Sequence, residues 1–583
     1  MYDKSPFVSV SPSAADCRLG WNAITAELSR AISGWRTVLC VECYPGAFVQ
    51  NISEGLQPAL KPSLFICTND LFLSPEKIGE RVYPWLTDDP VFGRITQLTI
   101  EDFLDPLKAK LANDAIQNQS RGLILVVGTG ASTISGPWDL LVYADMARWE
   151  IQRRQRSGDI GNLGADNLQE LSSLKYKRSF FVDWRAADCL KRKLLPDLDY
   201  LLDTNDRHTP KLISGGAFRH GLRTAVARPF RVVPFFDPGP WGGHWMERVC
   251  DLPKDVPNYA WCFDCVPEEN SLLLGFGESR LEIPAIDLVF AHARELLGEQ
   301  VYDQFGAEFP IRFDYLDTIE GGNLSLQVHP LTEYVRQKFG LAYTQDESYY
   351  ILDASHDASV YLGLKENIDP QEMLKDLRAA QAGGPEFRAD RYVNKFASHK
   401  HDHFLIPAGT VHCSGRGNMV LEISATPYIF TFKLWDWERL GLDGRPRPIH
   451  VEQGAANIQW NRTTGWVEHS LINRVEQIAE GDGWREERTG LHELEFIETR
   501  RHWFVKPVTH ETADTVNVLN LVEGEMVLVE SPSGAFEPFE IHYAETFIVP
   551  AQVGSYSIRP HGPSVGKQCA TIKAFIRRKA LIP

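Results

Sequence analysis

One short segment of the 583-residue sequence combines a hydroxyl, an amide and an imidazole in a strand-like pattern. In LSLQVHP (324–330), apolar residues alternate with polar ones. Alternate side chains of an extended strand face the same side, so Ser325, Gln327 and His329 are predicted to project together, opposite the apolar row. The amide and the imidazole are therefore expected to face an interior pocket, where both are able to ligate a metal ion.

Two further predicted strands supply a carboxylate and a second imidazole. Glu347 opens the segment ESYYILDA (347–354), and His412 follows a tight turn at 407–409. Two imidazoles, one carboxylate and one amide oxygen form a ligand set suited to Zn²⁺ or a similar divalent ion. Because only one of these four ligands is anionic, the site would stay net positive and polarise a substrate oxygen. From the residues alone, four unrelated polar side chains scattered over β-strands are the alternative interpretation.

The composition limits the class of protein and of partner. Lys plus Arg number 60 and Asp plus Glu number 77, so the formal net charge is −17. Such an acidic surface repels a polyphosphate backbone, and nucleic acid is not an expected partner. The longest aliphatic stretch, LILVV (123–127), is far shorter than the ~20 residues that span a bilayer, so no membrane is expected. The N-terminus lacks the apolar core of a signal peptide and the ten cysteines are irregularly spaced, which predicts a cytoplasmic protein with reduced thiols.

Residues 1–228 are predicted to form a doubly wound α/β domain. Short apolar runs such as TVLCVECYPG (37–46) end in turn residues, with helical patterns between several of them. Strands that alternate with helices favour a largely parallel sheet covered on both faces. The loop GTGAST (128–133) follows a strand as a phosphate-binding loop does, but no lysine completes a Walker pattern and no third glycine completes a dinucleotide loop. No ligand is assigned to this domain.

From about residue 244 the pattern predicts β-structure. Short alternating strands and turn residues recur about every ten residues, which is typical of an antiparallel β-sandwich or barrel. A helical interruption over 369–383 begins at Asp369-Pro370 and ends at a glycine. The Pro- and Gly-rich run at 228–243 indicates a domain boundary. We therefore expect a multidomain chain with an α/β domain followed by mainly β domains at 229–460 and 461–583.

The ordered motifs of the β-region resemble class I mannose-6-phosphate isomerases, also called phosphomannose isomerases. The resemblance rests on five segments: 241–243 (WGG), 309–330, 345–354, 407–413 and 420–451. It implies a cupin-type β-sandwich (jelly roll) with a helical insertion at 229–460, which would be the catalytic domain, and a cupin-like domain at 461–583. It also implies one Zn²⁺ or other divalent ion in the catalytic domain, bound by Gln327, His329, Glu347 and His412. The implied reaction interconverts mannose 6-phosphate and fructose 6-phosphate through an enediol.

The sequence departs from the resembled family after the last ligand. The family has a catalytic arginine there, whereas TFKLWDW (431–437) places Lys433 at that position. Lysine offers a point charge where arginine offers a planar two-pronged donor, and it loses its proton more readily when buried. We expect Lys433 to stabilise the developing enediolate or, failing that, turnover to be impaired; a lysine on a solvated strand face is the alternative. Glu422 is a second candidate, for proton transfer, and a paired or exposed carboxylate is the alternative.

Three arginines after this strand are candidates for binding the phosphate of a phosphorylated hexose. Arg439, Arg445 and Arg447 lie within 438–450, and guanidinium groups bind phosphate oxygens in pairs. Exposed arginines on a loop are the alternative interpretation. The rival function is a non-catalytic, metal-containing sugar-phosphate sensor or regulatory cupin protein, suggested by the lysine at the arginine position and by the additional N-terminal domain. No oligomeric state is predicted.

Overall fold

The computed structural model describes residues 1–577, apart from residues 12, 426, 427, 429 and 491 and the side chain of Ala14. The chain forms two compact units. The N-terminal unit consists of residues 7–225 and 269–292, and the C-terminal unit consists of residues 1–6, 226–268 and those from 293 onward.

The strands, numbered in chain order, are β1 Phe7–Ser11, β2 Cys17–Leu19, β3 Arg36–Cys43, β4 Leu64–Cys67, β5 Gly122–Gly128, β6 Leu140–Asp145, β7 Tyr200–Asp203, β8 Lys211–Ser214, β9 Phe235–Asp237, β10 Trp261–Cys265, β11 Ser271–Phe276, β12 Ser279–Pro284, β13 Arg312–Asp317, β14 Leu326–Val328, β15 Asp346–Ala354, β16 Ser359–Leu364, β17 Val393–Ala397, β18 His403–Ile406, β19 His412–Ser414, β20 Asn418–Ala425, β21 Phe432–Trp435, β22 Glu476–Gly481, β23 Trp484–Gly490, β24 Ile497–Phe504, β25 Val508–Glu511, β26 Asn517–Glu523, β27 Met526–Glu530, β28 Phe539–His542, β29 Thr546–Val549, β30 Ser555–Pro560 and β31 Cys569–Ile576.

The α-helices are α1 Gly20–Ala31, α2 Val49–Leu60, α3 Pro75–Leu86, α4 Pro106–Asn118, α5 Ala131–Ser135, α6 Arg148–Ser157, α7 Ser172–Arg178, α8 Trp184–Leu194, α9 Gly215–Val226, α10 Trp245–Val249, α11 Ile286–Ala291, α12 Ala293–Leu297, α13 Glu299–Phe305, α14 Thr332–Phe339, α15 Pro370–Gln381, α16 Ala389–Tyr392, α17 Val451–Ala455 and α18 Thr464–Ser470. A π-helical turn, Ser179–Asp183, joins α7 to α8, and short 3₁₀ turns occur at Ala14–Asp16, Thr68–Leu71, Ile100–Phe103, Ala551–Val553 and Gly562–Ser564. None of the helices in the described part of the chain is both long and apolar enough to cross a membrane.

A seven-stranded, mainly parallel sheet forms the centre of the N-terminal unit. Its strand order is β2-β8-β7-β6-β3-β5-β4, and the five strands from β3 to β7 are parallel. Leu39 and Val41 of β3 pack against buried residues of α1 and α2, while Val38 and Cys40 are buried on the opposite face. The unit is therefore a mixed α/β structure, as the alternation of strands and helices predicts. The finer assignment as a doubly wound domain stays a prediction.

A second, small sheet in the N-terminal unit joins distant parts of the sequence. Strand β1 pairs in parallel with β11, and β11 pairs antiparallel with β12. Leu272, Leu274 and Ile283 are fully buried there. Residues 269–292 thus belong to the N-terminal unit although they lie beyond the predicted boundary at 228, and no local pattern reveals this because the pairing spans more than 250 residues. The division at 228 and 460 stays a prediction.

The C-terminal unit contains two pairs of antiparallel sheets. The first sheet pair consists of a six-stranded sheet, β18-β15-β20-β13-β10-β9, and a five-stranded sheet, β17-β16-β19-β14-β21. The second sheet pair consists of β22-β23-β24-β31-β26-β29 and β25-β30-β27-β28. The predicted helical insertion is confirmed: α15 begins at Pro370, and the Asp369 side chain accepts a hydrogen bond from the N–H of Gln371. The specific cupin assignment stays a prediction.

Candidate metal centre

Neighbouring strands of the five-stranded sheet place three of the predicted site residues side by side. Gln327 on β14 lies opposite His412 at the start of β19 and opposite Lys433 on β21. His329 follows β14 directly and keeps the alternation of that strand. Leu326 and Val328, the apolar partners in the alternation, are fully buried. The local alternation places the amide and one imidazole on one side of β14, and the pairing of β14 with β19 brings the second imidazole beside them.

Glu347 reaches the two imidazoles from the facing six-stranded sheet. Its Oε2 lies 3.0 Å from Nε2 of His329, and its Oε1 lies 3.0 Å from Nε2 of His412. All three side chains are buried. In the described residues these three form a group whose ligand atoms all lie within 4.8 Å of one another, and the group could hold a metal ion.

Backbone carbonyls determine which nitrogen of each imidazole faces Glu347. The Nδ1 of His329 lies 2.7 Å from the carbonyl oxygen of Phe430, and the Nδ1 of His412 lies 2.9 Å from that of Thr410. A carbonyl oxygen only accepts hydrogen bonds, so both Nδ1 atoms must donate, and in the neutral rings both Nε2 lone pairs point at the carboxylate. Between neutral rings and a carboxylate this contact is unfavourable, and either a proton on Nε2 or a metal cation between the atoms relieves it.

The donor set fits a divalent cation. Two ligand atoms that are each ~2.0–2.1 Å from a tetrahedral Zn²⁺ lie roughly 3.3 Å apart, close to the 3.0 Å separations between Nε2 and the carboxylate oxygens. The hydrogen bonds from Nδ1 to backbone carbonyls are also the usual outer contacts of metal-binding histidines. His329, Glu347 and His412 would hold the ion.

The charges of this group are strongly coupled. Burial alone would raise the pKa of the Glu347 carboxyl, but His329 and then His412 lower that pKa well below its usual range. Burial alone would lower the pKa of His329, but the nearby Glu347 carboxylate raises it. A carboxylate held ionised between two imidazoles is the state that a cation requires.

Gln327 lies beside the group in a different orientation from the predicted one. Its Nε2 is 3.2 Å from Nε2 of His412, and its Oε1 accepts a hydrogen bond of 3.0 Å from the Ser325 hydroxyl. Ligation through oxygen would need a 180° rotation of the amide, which exchanges two atoms that differ little in shape. The ligand role of Gln327 therefore stays a prediction.

A cavity of about 200 Å³ adjoins the metal centre. Gln327 lines the cavity together with aromatic, cationic and acidic side chains. The aromatic ones are Trp241, Trp261 and Phe263, the cationic ones are Arg312, Lys433 and Arg447, and the acidic ones are Asp314 and Glu422. Buried polar groups beside an aromatic wall are typical of a small-molecule site. The cavity reaches the metal centre through Gln327, which contacts His412, and Gln345, which contacts Glu347.

Lys433 and Glu422, the two predicted catalytic residues, both line this cavity. Burial, and then the nearby Arg447 guanidinium, lower the pKa of the Lys433 ammonium to about 8. Among the residues the structure describes, none is recorded in an ion pair or hydrogen bond with its ammonium. Burial, followed by the charges of Glu347 and Asp314, raises the pKa of the Glu422 carboxyl well above its usual range.

The three predicted phosphate ligands have different surroundings. Arg447 lines the cavity, and it binds both carboxylate oxygens of Asp436 at 2.5 and 2.6 Å. Arg439 binds the same carboxylate at 2.7 Å and lies 5.9 Å from the ring centroid of Trp241. Arg445 is exposed and does not line the cavity. Their roles in phosphate binding stay predictions.

Sequence reasoning missed four polar residues of the cavity wall: Arg312, Asp314, Gln345 and Thr431. The Nε2 of Gln345 donates to Oε2 of Glu347 at 2.8 Å, and Asp314 lies directly opposite Glu422 on neighbouring strands. The alternation of charged residues in the segment 312–316 is the one local signal that could have identified the pair on β13.

The GTGAST loop of the N-terminal unit is occupied by a side chain of the same unit. The carboxylate of Glu42 accepts hydrogen bonds from the N–H groups of Gly130 and Ser132, at 2.6 and 2.7 Å, and from the Ser132 hydroxyl at 2.7 Å. Burial raises the pKa of this carboxyl to about 7. The donors that a phosphate would use at this loop are therefore already engaged.

Comparisons with known proteins assign the two parts of the chain differently. Residues 20–227 match a family described as a domain of unknown function, DUF8485. The chain is 26% identical over 215 residues to mannose-6-phosphate isomerase of Streptococcus mutans, covering 36% of this chain and 62% of the relative. It is 26% identical over 243 residues to mannose-6-phosphate isomerase ManA of Bacillus subtilis, covering 40% of this chain and 69% of the relative.

The chain thus spans about two thirds of the length of these relatives. Among solved structures, it is similar to mannose 6-phosphate isomerase from Bacillus subtilis, with a TM-score of 0.49 and 18% identity over 60% of this chain and 100% of that one. A variant of phosphomannose isomerase from Salmonella typhimurium gives a TM-score of 0.46 and 12% identity, with the same coverage. From the sequence matches, about two fifths of this chain is related to the mannose-6-phosphate isomerases, and the chain carries in addition an N-terminal region with a family match of its own.

Proposed function

We propose that this chain is a metal-dependent aldose–ketose isomerase that interconverts mannose 6-phosphate and fructose 6-phosphate in the cytoplasm, with Zn²⁺ or a similar divalent ion in its C-terminal unit. The relatives in sequence carry this name, which supports the choice of reaction. The observation that carries the proposal is the pair of imidazole Nε2 atoms, each 3.0 Å from one oxygen of Glu347, beside the cavity that Lys433 and Glu422 line.

The residues that carry out the reaction come from both sheets of the first sheet pair. A bound divalent ion supplies Lewis-acid polarisation of a substrate oxygen. Lys433, on the five-stranded sheet, stabilises the negative charge that develops on the sugar when a proton leaves carbon. Glu422, on the six-stranded sheet, holds or moves the proton exchanged between C1 and C2. The cavity walls exclude water and hold the open-chain sugar between these groups.

Arg447 is the phosphate ligand that the cavity supports best among the three predicted arginines. Its guanidinium lines the cavity and uses two of its five donors on Asp436, which leaves further N–H groups for a phosphate oxygen. Arg439 lies beside it on the same carboxylate. A phosphate would share these donors with Asp436 rather than find free guanidinium groups.

A coupled assay for fructose 6-phosphate tests the proposal on the purified full chain. Turnover should disappear after treatment with a chelator and return when Zn²⁺, Mn²⁺ or Co²⁺ is added back. His412→Ala should be inactive, whereas the matched control His401→Ala should keep its activity, because His401 binds Tyr350 and Glu523 outside the metal centre. Metal binding without turnover would contradict the isomerase and is the behaviour expected of a sugar-phosphate sensor.

A further inference from the structure

One tight turn forms hydrogen bonds with His329, with His412 and with Asp346, the residue before Glu347. The turn consists of residues 407–410 and is called the 407–410 turn below. Its Gly409 N–H donates to the carbonyl oxygen of His329 at 2.9 Å, and its Thr410 carbonyl accepts from Nδ1 of His412 at 2.9 Å. Its Ala408 N–H donates to the side chain of Asp346, the residue before Glu347, at 2.8 Å. The position of this turn therefore acts directly on the His412 ring, and on His329 and Glu347 through the main chain.

A single buried guanidinium holds the 407–410 turn from outside the metal centre. One terminal nitrogen of Arg462 donates to the carbonyl oxygens of Pro407 and Ala408, at 2.7 and 2.8 Å, and to the hydroxyl of Thr410 at 2.5 Å. Arg462 is 8% exposed. It lies between α17 and α18, in a segment that contributes none of the three metal-site residues. Its main-chain carbonyl accepts from Leu364 N–H at 3.0 Å, which anchors the arginine to β16.

Arg462 also supplies positive charge to a region crowded with carboxyl groups. Asp346, Glu347 and Glu495 line a cavity of about 10 Å³, room for roughly one water molecule. Burial raises the pKa of both the Asp346 and the Glu495 carboxyl, and the charge of the Arg462 guanidinium partly lowers each of them. Without this cation, the acids beside Glu347 would lose a compensating charge, and the 407–410 turn would lose its hydrogen bonds with the guanidinium.

We propose that Arg462 is a positioning residue of the metal centre: by holding the 407–410 turn, it aims His412 and His329 at Glu347 and so determines metal affinity. The inference rests on the metal centre of the proposed function. Lysine replaces arginine here only in part, because an ammonium is a compact, strongly hydrated charge and is costlier to bury than a guanidinium. Outer contacts of this kind typically contribute 10–100-fold to metal affinity.

Titration of metal-free full-length protein with Co²⁺, followed by visible absorption, tests the inference. Arg462→Met should bind Co²⁺ 10–100-fold more weakly than wild type, with an altered visible spectrum because the imidazoles are aimed differently. Arg462→Lys should lose less Co²⁺ affinity than Arg462→Met does, about fivefold relative to wild type. The matched control is Arg501→Met, which removes a buried arginine of the same unit that binds Glu487 and the carbonyl of His401. This control should keep the wild-type affinity and spectrum even where its thermal stability falls.

Wild-type affinity and spectrum in Arg462→Met would overturn the inference. If that variant does not fold, Arg462→Gln, which removes the charge and shortens the side chain, decides the matter, and a wild-type Co²⁺ affinity in it would equally overturn the inference. A wild-type protein that does not bind Co²⁺ would overturn the metal centre itself, and both proposals with it. Co²⁺ binding by wild type with unchanged Arg462 variants would remove only the positioning role.

Discussion

The two sheet pairs of the C-terminal unit each place two buried histidines near a glutamate, yet they arrange them differently. In the first sheet pair, both Nε2 atoms meet one carboxylate, Glu347, at 3.0 Å. In the second, Nε2 of His502 lies 3.0 Å from Glu486, while His510 stacks on Tyr556 with ring centroids 5.0 Å apart. Over the described part of the chain, only the first set has ligand atoms that converge within 4.8 Å.

The difference shows that residue types alone do not make a metal centre. In the first sheet pair, two backbone carbonyls accept the Nδ1 hydrogens of His329 and His412, so both lone pairs turn toward the same point. Both ring nitrogens of His510 have no hydrogen-bond partner in the described structure, and the ring lies edge-to-face with His502. A candidate metal centre thus differs from an ordinary polar cluster in having backbone acceptors that orient each imidazole ring. The two clusters do not differ in their residue types.

The largest expected difference between the two clusters is in metal content. His329→Ala should abolish stoichiometric metal binding, because it removes one of the three converging ligands, while apolar burial keeps the sheets folded. His502→Ala should leave the metal content of the chain unchanged. Metal analysis of the purified proteins by mass spectrometry compares them. Full metal occupancy in His329→Ala, or loss of metal in His502→Ala, would contradict the assignment of the metal site to the first cluster.

The next effect in size concerns the cation beside the first cluster. Lys433→Met should lower turnover of mannose 6-phosphate by about 10²–10³-fold with a smaller change in KM, because the charge acts on the transition state in a water-poor cavity. Lys433→Arg should retain substantial activity. Steady-state kinetics, with metal content checked in each protein, makes the measurement. Turnover of Lys433→Met within a few-fold of wild type would show that the ammonium does not act on the reacting atoms.

A smaller effect separates an arginine on the cavity wall from one in solvent. Arg447→Met should raise KM for the sugar phosphate by about tenfold, roughly 1.4 kcal/mol, with little change in kcat, because a phosphate contact is made equally in ground and transition states. Arg445→Met should change KM by less than twofold, since Arg445 is exposed and lies away from the wall. The two KM values from one assay decide it, and equal values would contradict a phosphate role for Arg447.

A different kind of effect, on acid stability, is expected from the second cluster. Burial lowers the pKa of His502 to about 4, below the ~6.5 of an unfolded histidine. The unfolded chain then binds more protons, so the stability due to neutral His502 is complete above pH ~6.5 and is lost as the pH falls toward 4. Between pH 7 and 5 this loss amounts to about 2 kcal/mol.

Thermal unfolding of metal-free protein at pH 7 and pH 5 measures this loss. The Tm of His502→Gln should fall by less than that of wild type, because the variant has lost the titrating group. His399→Gln is the control, since the His399 side chain is 78% exposed and should leave the pH dependence unchanged. An identical fall of Tm in wild type and His502→Gln would contradict the neutral, buried state of His502.

Much of the candidate site could be predicted because its signals are local. The alternation in 324–330 places Ser325, Gln327 and His329 on one side of a strand, and the hydroxyl of Ser325 indeed reaches Gln327. The structure also brings Glu347 and His412 to His329, as the proposed ligand set requires. The face on which a strand residue lies follows from its position relative to its neighbours in the sequence, so this feature can be read from a single sequence.

Other features depend on contacts between distant residues and leave no local pattern. Asp314 faces Glu422 only because β13 and β20 pair in one register across more than 100 residues. Asp436 engages Arg439 and Arg447, which sequence reasoning treated as available phosphate ligands. The contact of Arg462 with the 407–410 turn is of the same kind.

The pairing of β1 with β11 has a consequence for the order in which the protein is made. Residues 226–268, which belong to the C-terminal unit, leave the ribosome before residues 269–292 are available to complete the N-terminal unit. At about 5–20 residues per second, β1 waits roughly 2–9 s after residue 225 has been added for its partner segment to begin to appear. Neither unit is thus completed before synthesis of the other has begun, and a gene divided at codon 228 would place two strands of one sheet on separate chains.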